Sequence, residues 1–172
     1  MALPKLFPSR SNQLNLPMPD YLWLLCAQAQ LPEAMLLFLV AWMRGAAPER
    51  LLSGALLVFL TLWTIYDLIL DAPGALEQVD PVRLLLDALM GGVVVSIALY
   101  ANRIYPVWMS GAQLAALSAH FARATLVNLP PAAYMAMTQF PNYIHMLVLA
   151  LGLCAHTIRK RRVGGSYPNW SD

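Results

Sequence analysis

Residues 81–101 read PVRLLLDALMGGVVVSIALYA, with only Arg83 and Asp87 charged. At about 1.5 Å per residue, such a stretch crosses the ~30 Å hydrocarbon core of a bilayer as one helix. Proline at its first position suits a helix start, where the missing N–H has no intrahelical partner to lose. Outward from this segment, residues 21–43, 51–70, 104–124 and 141–158 are also long and mostly apolar. The expectation is an all-α integral membrane bundle of about five transmembrane helices.

Composition agrees. The chain has 172 residues, 59% apolar and 12% charged, with a mean hydropathy of +0.57. Soluble domains carry about 25% charged residues, and a soluble chain this short has too little interior to hide so much apolar surface. Residues 21–158 therefore read as one bundle. Residues 1–20, with Pro4, Pro8, Pro17 and Pro19, read as an irregular interfacial lead-in without the pattern of a secretory signal. Residues 159–172 read as a basic cytoplasmic tail.

Orientation follows from Lys and Arg in short loops. Arg44 and Arg50, Arg103, and the run Arg159, Lys160, Arg161 and Arg162 fall on one side of a five-span bundle. Asp71, Glu77 and Asp80 fall on the other. Lys5, Arg10 and Arg123 oppose this assignment but are outnumbered. The expected topology is N-terminus out and C-terminus in, with Arg103 and the tail run as headgroup anchors rather than a nucleic-acid patch. Tyr21, Trp23, Trp42, Tyr66, Tyr100, Tyr105, Trp108 and Tyr143 near the span ends match an interfacial aromatic belt.

Two spans are less regular. Gln28, Gln30, Pro32 and Glu33 interrupt the first, which is expected to kink. The fifth either runs unbroken from near Pro131 or begins at Pro141 after a short surface helix; the second arrangement is expected, since 141–158 already suffices to cross.

Ionisable residues inside lipid are costly and mark functional candidates. Here they lie on single stripes: Cys26, Gln30 and Glu33; Thr64, Asp67 and Asp71; Arg83, Asp87 and Gly91; Asn102, Gln113, His120 and Arg123; Asn142, His145, Gly152 and His156. Arg83 and Asp87 have the i, i+4 spacing of an ion pair. Gly111, Ala115 and Ala119 form a small-residue row suited to close helix approach. Asp67, Asp87, His120 and His145 are expected at one level, ~6–8 Å inside the outer boundary, with Glu33 and Gln113 nearer the midplane. Their plainest role is interhelical hydrogen bonding. Two Asp and two His also suit a divalent metal or a proton relay, and His120 with His145 suits axial ligation of haem.

No catalytic motif accompanies them. Ser96, Ser110 and Ser118 lack a GxSxG turn, Gly91-Gly92 and Gly164-Gly165 lack the setting of a phosphate loop, and Cys26 and Cys154 fall toward opposite faces, so a disulfide between them is not expected. The stretch Tyr100-Ala-Asn-Arg-Ile-Tyr-Pro-Val-Trp108, continuing through Gln113 to His120 and Arg123, resembles a pattern in uncharacterised small membrane proteins of alphaproteobacteria. The similarity covers the third to fifth spans best. It implies a bacterial inner membrane and brings no activity, cofactor or site residue.

The expected function is that of a small non-enzymatic membrane protein, an accessory or interaction subunit of an inner-membrane assembly or a self-associating bundle, with no resident cofactor and no nucleic-acid partner. Two alternatives remain open at this point: a ligand-binding or catalytic bundle with a metal, haem or quinone in its outer half, and a holin-like pore protein.

Overall fold

The computed structural model describes residues 20–70, 79–126 and 129–163, with side chains from residue 29 onward apart from 70, 131, 132 and 163. The described residues form five helices and no strand: α1 (Asp20–Arg44), α2 (Ala47–Leu70), α3 (Pro81–Tyr100), α4 (Tyr105–Thr125) and α5 (Pro131–Val163). Asp71, Glu77 and the N-terminal lead-in lie outside the described residues.

Three of the helices, within Ala47–Ile69, Pro81–Tyr100 and Ala133–Arg162, are long and apolar enough to cross a membrane. α1 and α4 are not among them. α4 carries Gln113, His120 and Arg123, and its burial explains how it can hold them: its inward face, including Ala112, Gln113, Ala116, Ala119 and His120, is closed by its neighbours. Large apolar side chains are exposed on all five helices, among them Leu36, Leu68, Leu99, Phe121 and Leu151. Water would not solvate such a surface favourably; lipid does.

The helix ends have local causes. Asp80 caps α3, its carboxylate Oδ1 accepting from the amides of Val82 (2.9 Å) and Arg83 (3.3 Å), with Pro81 following. α2 starts four residues before the expected residue 51. Glu49 reaches back to accept from the Ala46 amide at 3.0 Å, half of a capping box, which secures this extra turn. Gly45 makes the α1–α2 turn tight enough that a Cβ there would lie 2.6 Å from the Ala41 carbonyl oxygen.

α5 differs most from expectation. It is one helix from Pro131 to Val163, with Pro141 inside it, not a surface helix followed by a span from 141. Pro141 removes one intrahelical bond. Tertiary packing outweighs that loss, because Tyr134, Thr138, Asn142, His145 and Leu149 form one buried stripe running past the proline. Proline is tolerated in membrane helices on the same grounds.

The helices pack as a ring: α1 on α2, α2 on α3, α3 on α4, α4 on α5, and α5 back on α1, with a further α2–α5 contact across it. Leu52, Leu56 and Phe59 of α2, Val94 of α3, Met109 of α4 and Leu149 of α5 fill the apolar core. The connections α1–α2 and α3–α4 and the C-terminal turns of α5 share one end, called here the basic end; Asp80 and Leu129 mark the opposite, acidic end.

Small residues matter where rings approach backbone. A Cβ on Gly152 would lie 2.8 Å from the Tyr105 ring, whereas one on Gly111 would meet nothing within 4 Å. Gly111 and Ala115 are exposed, so the expected row Gly111, Ala115, Ala119 is not the packing face; Ala112, Ala116 and Ala119 form it. Gly152→Val is accordingly expected to destabilise by about 1–3 kcal/mol through overpacking. Gly111→Ala is expected to be neutral or to stabilise by up to about 1 kcal/mol. Unfolding midpoints in detergent micelles measure both, and equal effects at the two glycines would contradict this packing.

Candidate functional site

Asp87, about two turns into α3 from its capped start, is buried with 1% exposure, as are Gln113 and, at 2%, His120. These three of the six expected site residues come together. Asp87 Oδ2 lies 2.8 Å from His120 Nε2, and the Gln113 amide donates to Asp87 Oδ1 at 3.0 Å and to the Asp87 carbonyl at 2.9 Å. Gly91 permits the approach: a Cβ there would stand 3.3 Å from Gln113 Cγ.

The chain continues into α5. The Tyr134 hydroxyl lies 2.7 Å from His120 Nδ1, with the two rings edge to face. If Nε2 carries the imidazole proton, His120 donates to Asp87 and accepts from Tyr134, so each contact has one donor and one acceptor. Arg123 closes the end of the network, donating from Nη1 to the Leu129 carbonyl and placing its guanidinium 5.7 Å from the Tyr134 ring centroid, a cation–π distance.

The other expected members lie elsewhere. Asp67 is 43% exposed and pairs with Arg83 at 2.8 Å. Arg83 thus turns to α2, not to Asp87 at i, i+4; its Nε also lies 3.6 Å from Asp80, and its guanidinium 5.3 Å from the Trp63 ring centroid. Asp80 accepts in addition from the Tyr66 hydroxyl at 2.6 Å. Glu33 is exposed. Gln30, on the same helix, donates to Gln139 of α5 at 3.2 Å.

His145 is fully buried, but its Nε2 donates to the Met109 carbonyl at 2.9 Å. Met109 and His120 are eleven residues apart on α4, as Tyr134 and His145 are on α5, a spacing of about 16 Å along the helix. His120 and His145 therefore do not share a level, because α5 starts ten residues earlier than expected and carries His145 toward the bundle middle. Two imidazoles so separated cannot ligate one ion at ~2 Å, and both nitrogens of His120 are already engaged. Among the described residues, no three His, Cys, Asp or Glu side chains converge as a metal group.

A second polar cluster occupies the basic end. Glu49, fully buried, lies 3.6 Å from Arg103 Nε. Arg103 also donates to the Asn102 carbonyl at 2.7 Å. Arg103 is thus partly an internal partner rather than only a headgroup anchor, whereas Arg159, Lys160, Arg161 and Arg162 are exposed on the last turns of α5.

Tyr134 and Glu49 were not singled out from the sequence. A helix start at Pro141 leaves Tyr134 outside the span; read through the proline, the spacing Tyr134, Thr138, Asn142, His145 puts it on the His145 stripe. Glu49 lacked any such periodic signal, since it falls in what read as a loop. No family model, curated protein or solved structure matches the chain.

Two predictions follow from this geometry. Asp87→Ala leaves the donors of His120 and Gln113 buried without an acceptor and is expected to cost about 1–3 kcal/mol. Asp67→Ala, at an exposed pair, is expected to cost under about 1 kcal/mol. Detergent unfolding of the two variants in parallel decides the order, and an equal loss would mean that the buried network is not the stronger lock.

The second concerns acid. Burial alone would raise the Asp80 carboxyl, but the Tyr66 hydroxyl, the Val82 and Arg83 amides and the Arg83 charge together hold it below its ordinary 3.8. A folded value below the unfolded one stabilises fully above the unfolded value, and that stabilisation is lost as pH falls through the folded value. Asp80→Asn should therefore flatten the loss of unfolding midpoint below about pH 4; an unchanged acid limb would show that Asp80 contributes nothing to it.

Proposed function

We propose that this chain is a five-span protein of a bacterial inner membrane, N-terminus out and C-terminus in, serving as a non-enzymatic accessory or interaction subunit of a membrane assembly. One observation carries the reading. Both oxygens of Asp87 and both nitrogens of His120 are engaged by α3, α4 and α5 themselves, so the most polar part of the interior is occupied in joining helices. Polar groups used this way are structural glue, each worth about 0.6 kcal/mol on average in a membrane.

The rest of the surface supports it. Leu99 and Phe121, each 72% exposed, and Phe140, at 67%, present large apolar groups outward, suited to lipid or to another subunit's helix. The basic last turn of α5 and Arg44 at the end of α1 lie at one end, which favours that end as cytoplasmic. The resemblance of residues 100–123 to small alphaproteobacterial membrane proteins favours the inner membrane.

The experiment is site-specific photo-crosslinking in cells from residues 99, 121 and 140, followed by purification in mild detergent. A stoichiometric second protein, or a second copy of this chain, captured from one of these faces is the expected result. Capture of lipid alone from all three positions would sink the subunit reading. Reporter fusions supply the topology: a C-terminal fluorescent protein should fold and fluoresce, and a periplasm-dependent phosphatase fused at residue 77 should be active. The reverse pattern would invert the orientation.

A further inference from the structure

Halfway along α1, one ionisable side chain points out of the ring. Glu33 stands thirteen residues from Asp20 and eleven from Arg44, which is ~16–20 Å from either end of the helix. Two contacts with α5 agree on that height. Gln30 bonds Gln139, and a Cβ on Gly45 would lie 3.2 Å from Leu153 Cδ1, so α1 and α5 run in step and Glu33 is about level with Asn142. Its side chain is exposed, as are Leu36 and Met43 on the same side, whereas Gln30, Ala34 and Ala41 turn inward and are buried. We infer that this outward face of α1 docks a transmembrane helix of another protein that carries a Lys or Arg near its own middle, with Glu33 as the counter-charge. The inference deepens the subunit reading above and rests on it, and on α1 crossing the membrane.

Charge comes first. Hydrocarbon penalises ionisable side chains, and those within spans face protein or water and pair with one another. Among the described residues Glu33 has neither an ion-pair nor a hydrogen-bond partner, and residues 21–43 contain no Lys or Arg. Pro32, also exposed, adds a second acceptor. It lacks the N–H that would pair with the Gln28 carbonyl, and the Glu33 side chain leans back over that same turn. A carboxylate beside a carbonyl without its helical donor suits a group with several N–H donors, which Lys and Arg both have.

Depth then selects the occupant. Lipid headgroups stay at the interface, ~15 Å away, and bring no cation to this level. A second copy of the chain brings none either, because every described Lys and Arg lies in a connection or within five residues of a helix end. A transmembrane helix with a central basic residue does, and it has the same need of a counter-charge in hydrocarbon.

The probes are synthetic leucine–alanine transmembrane peptides with a central Lys, a central Leu, or a Lys at one end, reconstituted in lipid vesicles with the full chain. The chain carries a photo-crosslinking residue at position 36 on α1 or, in a parallel variant, at position 121 on α4, both exposed. From position 36 the central-Lys peptide is expected to be captured about fivefold more than either other peptide. From position 121 all three should be captured alike. Glu33→Gln removes the charge at an exposed site and should abolish the preference, whereas Glu33→Asp should retain it. Equal capture of the three peptides from position 36, or a preference that survives Glu33→Gln, overturns the proposal. Self-association of the chain that Glu33→Gln abolishes also overturns it, by making a second copy the occupant. Epitope tags at the two chain ends accessible from the same side of the membrane would overturn the crossing of α1. A protein partner captured in cells from residue 99, 121 or 140, with no peptide preference at position 36, sinks the α1 docking face and leaves the subunit reading standing.

Discussion

A polar group enclosed by hydrocarbon has to find its hydrogen-bond partners inside the protein, because lipid offers none. In this chain the requirement falls hardest on Asp87, a carboxylate with 1% exposure on a helix whose only other charged residue is Arg83. The Gln113 amide and the His120 imidazole, both on α4, cannot reach it unless α3 and α4 come close, and Gly91 leaves room for the Gln113 side chain. Once Gln113 and His120 are in place, the second imidazole nitrogen needs a partner of its own, and the Tyr134 hydroxyl of α5 supplies it. The position of Tyr134, and with it the start of α5, follows from satisfying Asp87.

The same constraint is met at each level of the bundle by a different pair of helices. Near the acidic end, Tyr66 and Asp67 of α2 meet Asp80 and Arg83 at the start of α3. Below them Asp87, Gln113, His120 and Tyr134 join α3, α4 and α5. Deeper still, His145 of α5 donates to a backbone carbonyl of α4, and at the basic end Glu49 of α2 faces Arg103 after α3. Each contact is directional where apolar packing is not, so together they set which helices are neighbours and at what height. Between lipid-like surfaces, where van der Waals packing differs little from one partner to the next, that selection has energetic weight beyond the small value of each bond.

Much of this was legible in the sequence, and the limits have physical reasons. Hydrophobic length located the apolar helices, and the shared stripe placed Asp87, Gln113 and His120 on inward faces. A stripe gives the direction a side chain points along its own helix; it does not say which helix lies opposite. Asp67 illustrates the gap, because it lies on an inward-seeming stripe yet sits at an exposed edge, paired with Arg83. The height of His145 failed for another reason. Height is counted from a helix start, and Pro131 and Pro141 offered two starts; intrinsic proline preference favoured the later one, while the buried stripe from Tyr134 to Leu149 decided for the earlier. Glu49 was hidden because a capping interaction depends on where the helix begins, which its own side chain helps to set.

The distribution of these contacts also separates the helices by how firmly they are held. α2, α3, α4 and α5 are linked to one another through ionic or hydrogen-bonded side chains at the acidic end, the middle and the basic end. Among its described side chains, α1 joins the rest through Gln30 to Gln139, through the Trp42 ring 5.6 Å from the Arg50 guanidinium, and for the most part through apolar packing, with Ala34 and Ala41 buried against neighbours. Apolar contacts of that kind can be exchanged for lipid or for another protein's helix at little cost. Polar contacts cannot, since breaking one exposes a buried group to hydrocarbon. α1 is therefore the helix whose contacts are most readily exchanged, while the polar contacts among α2 to α5 fix their arrangement.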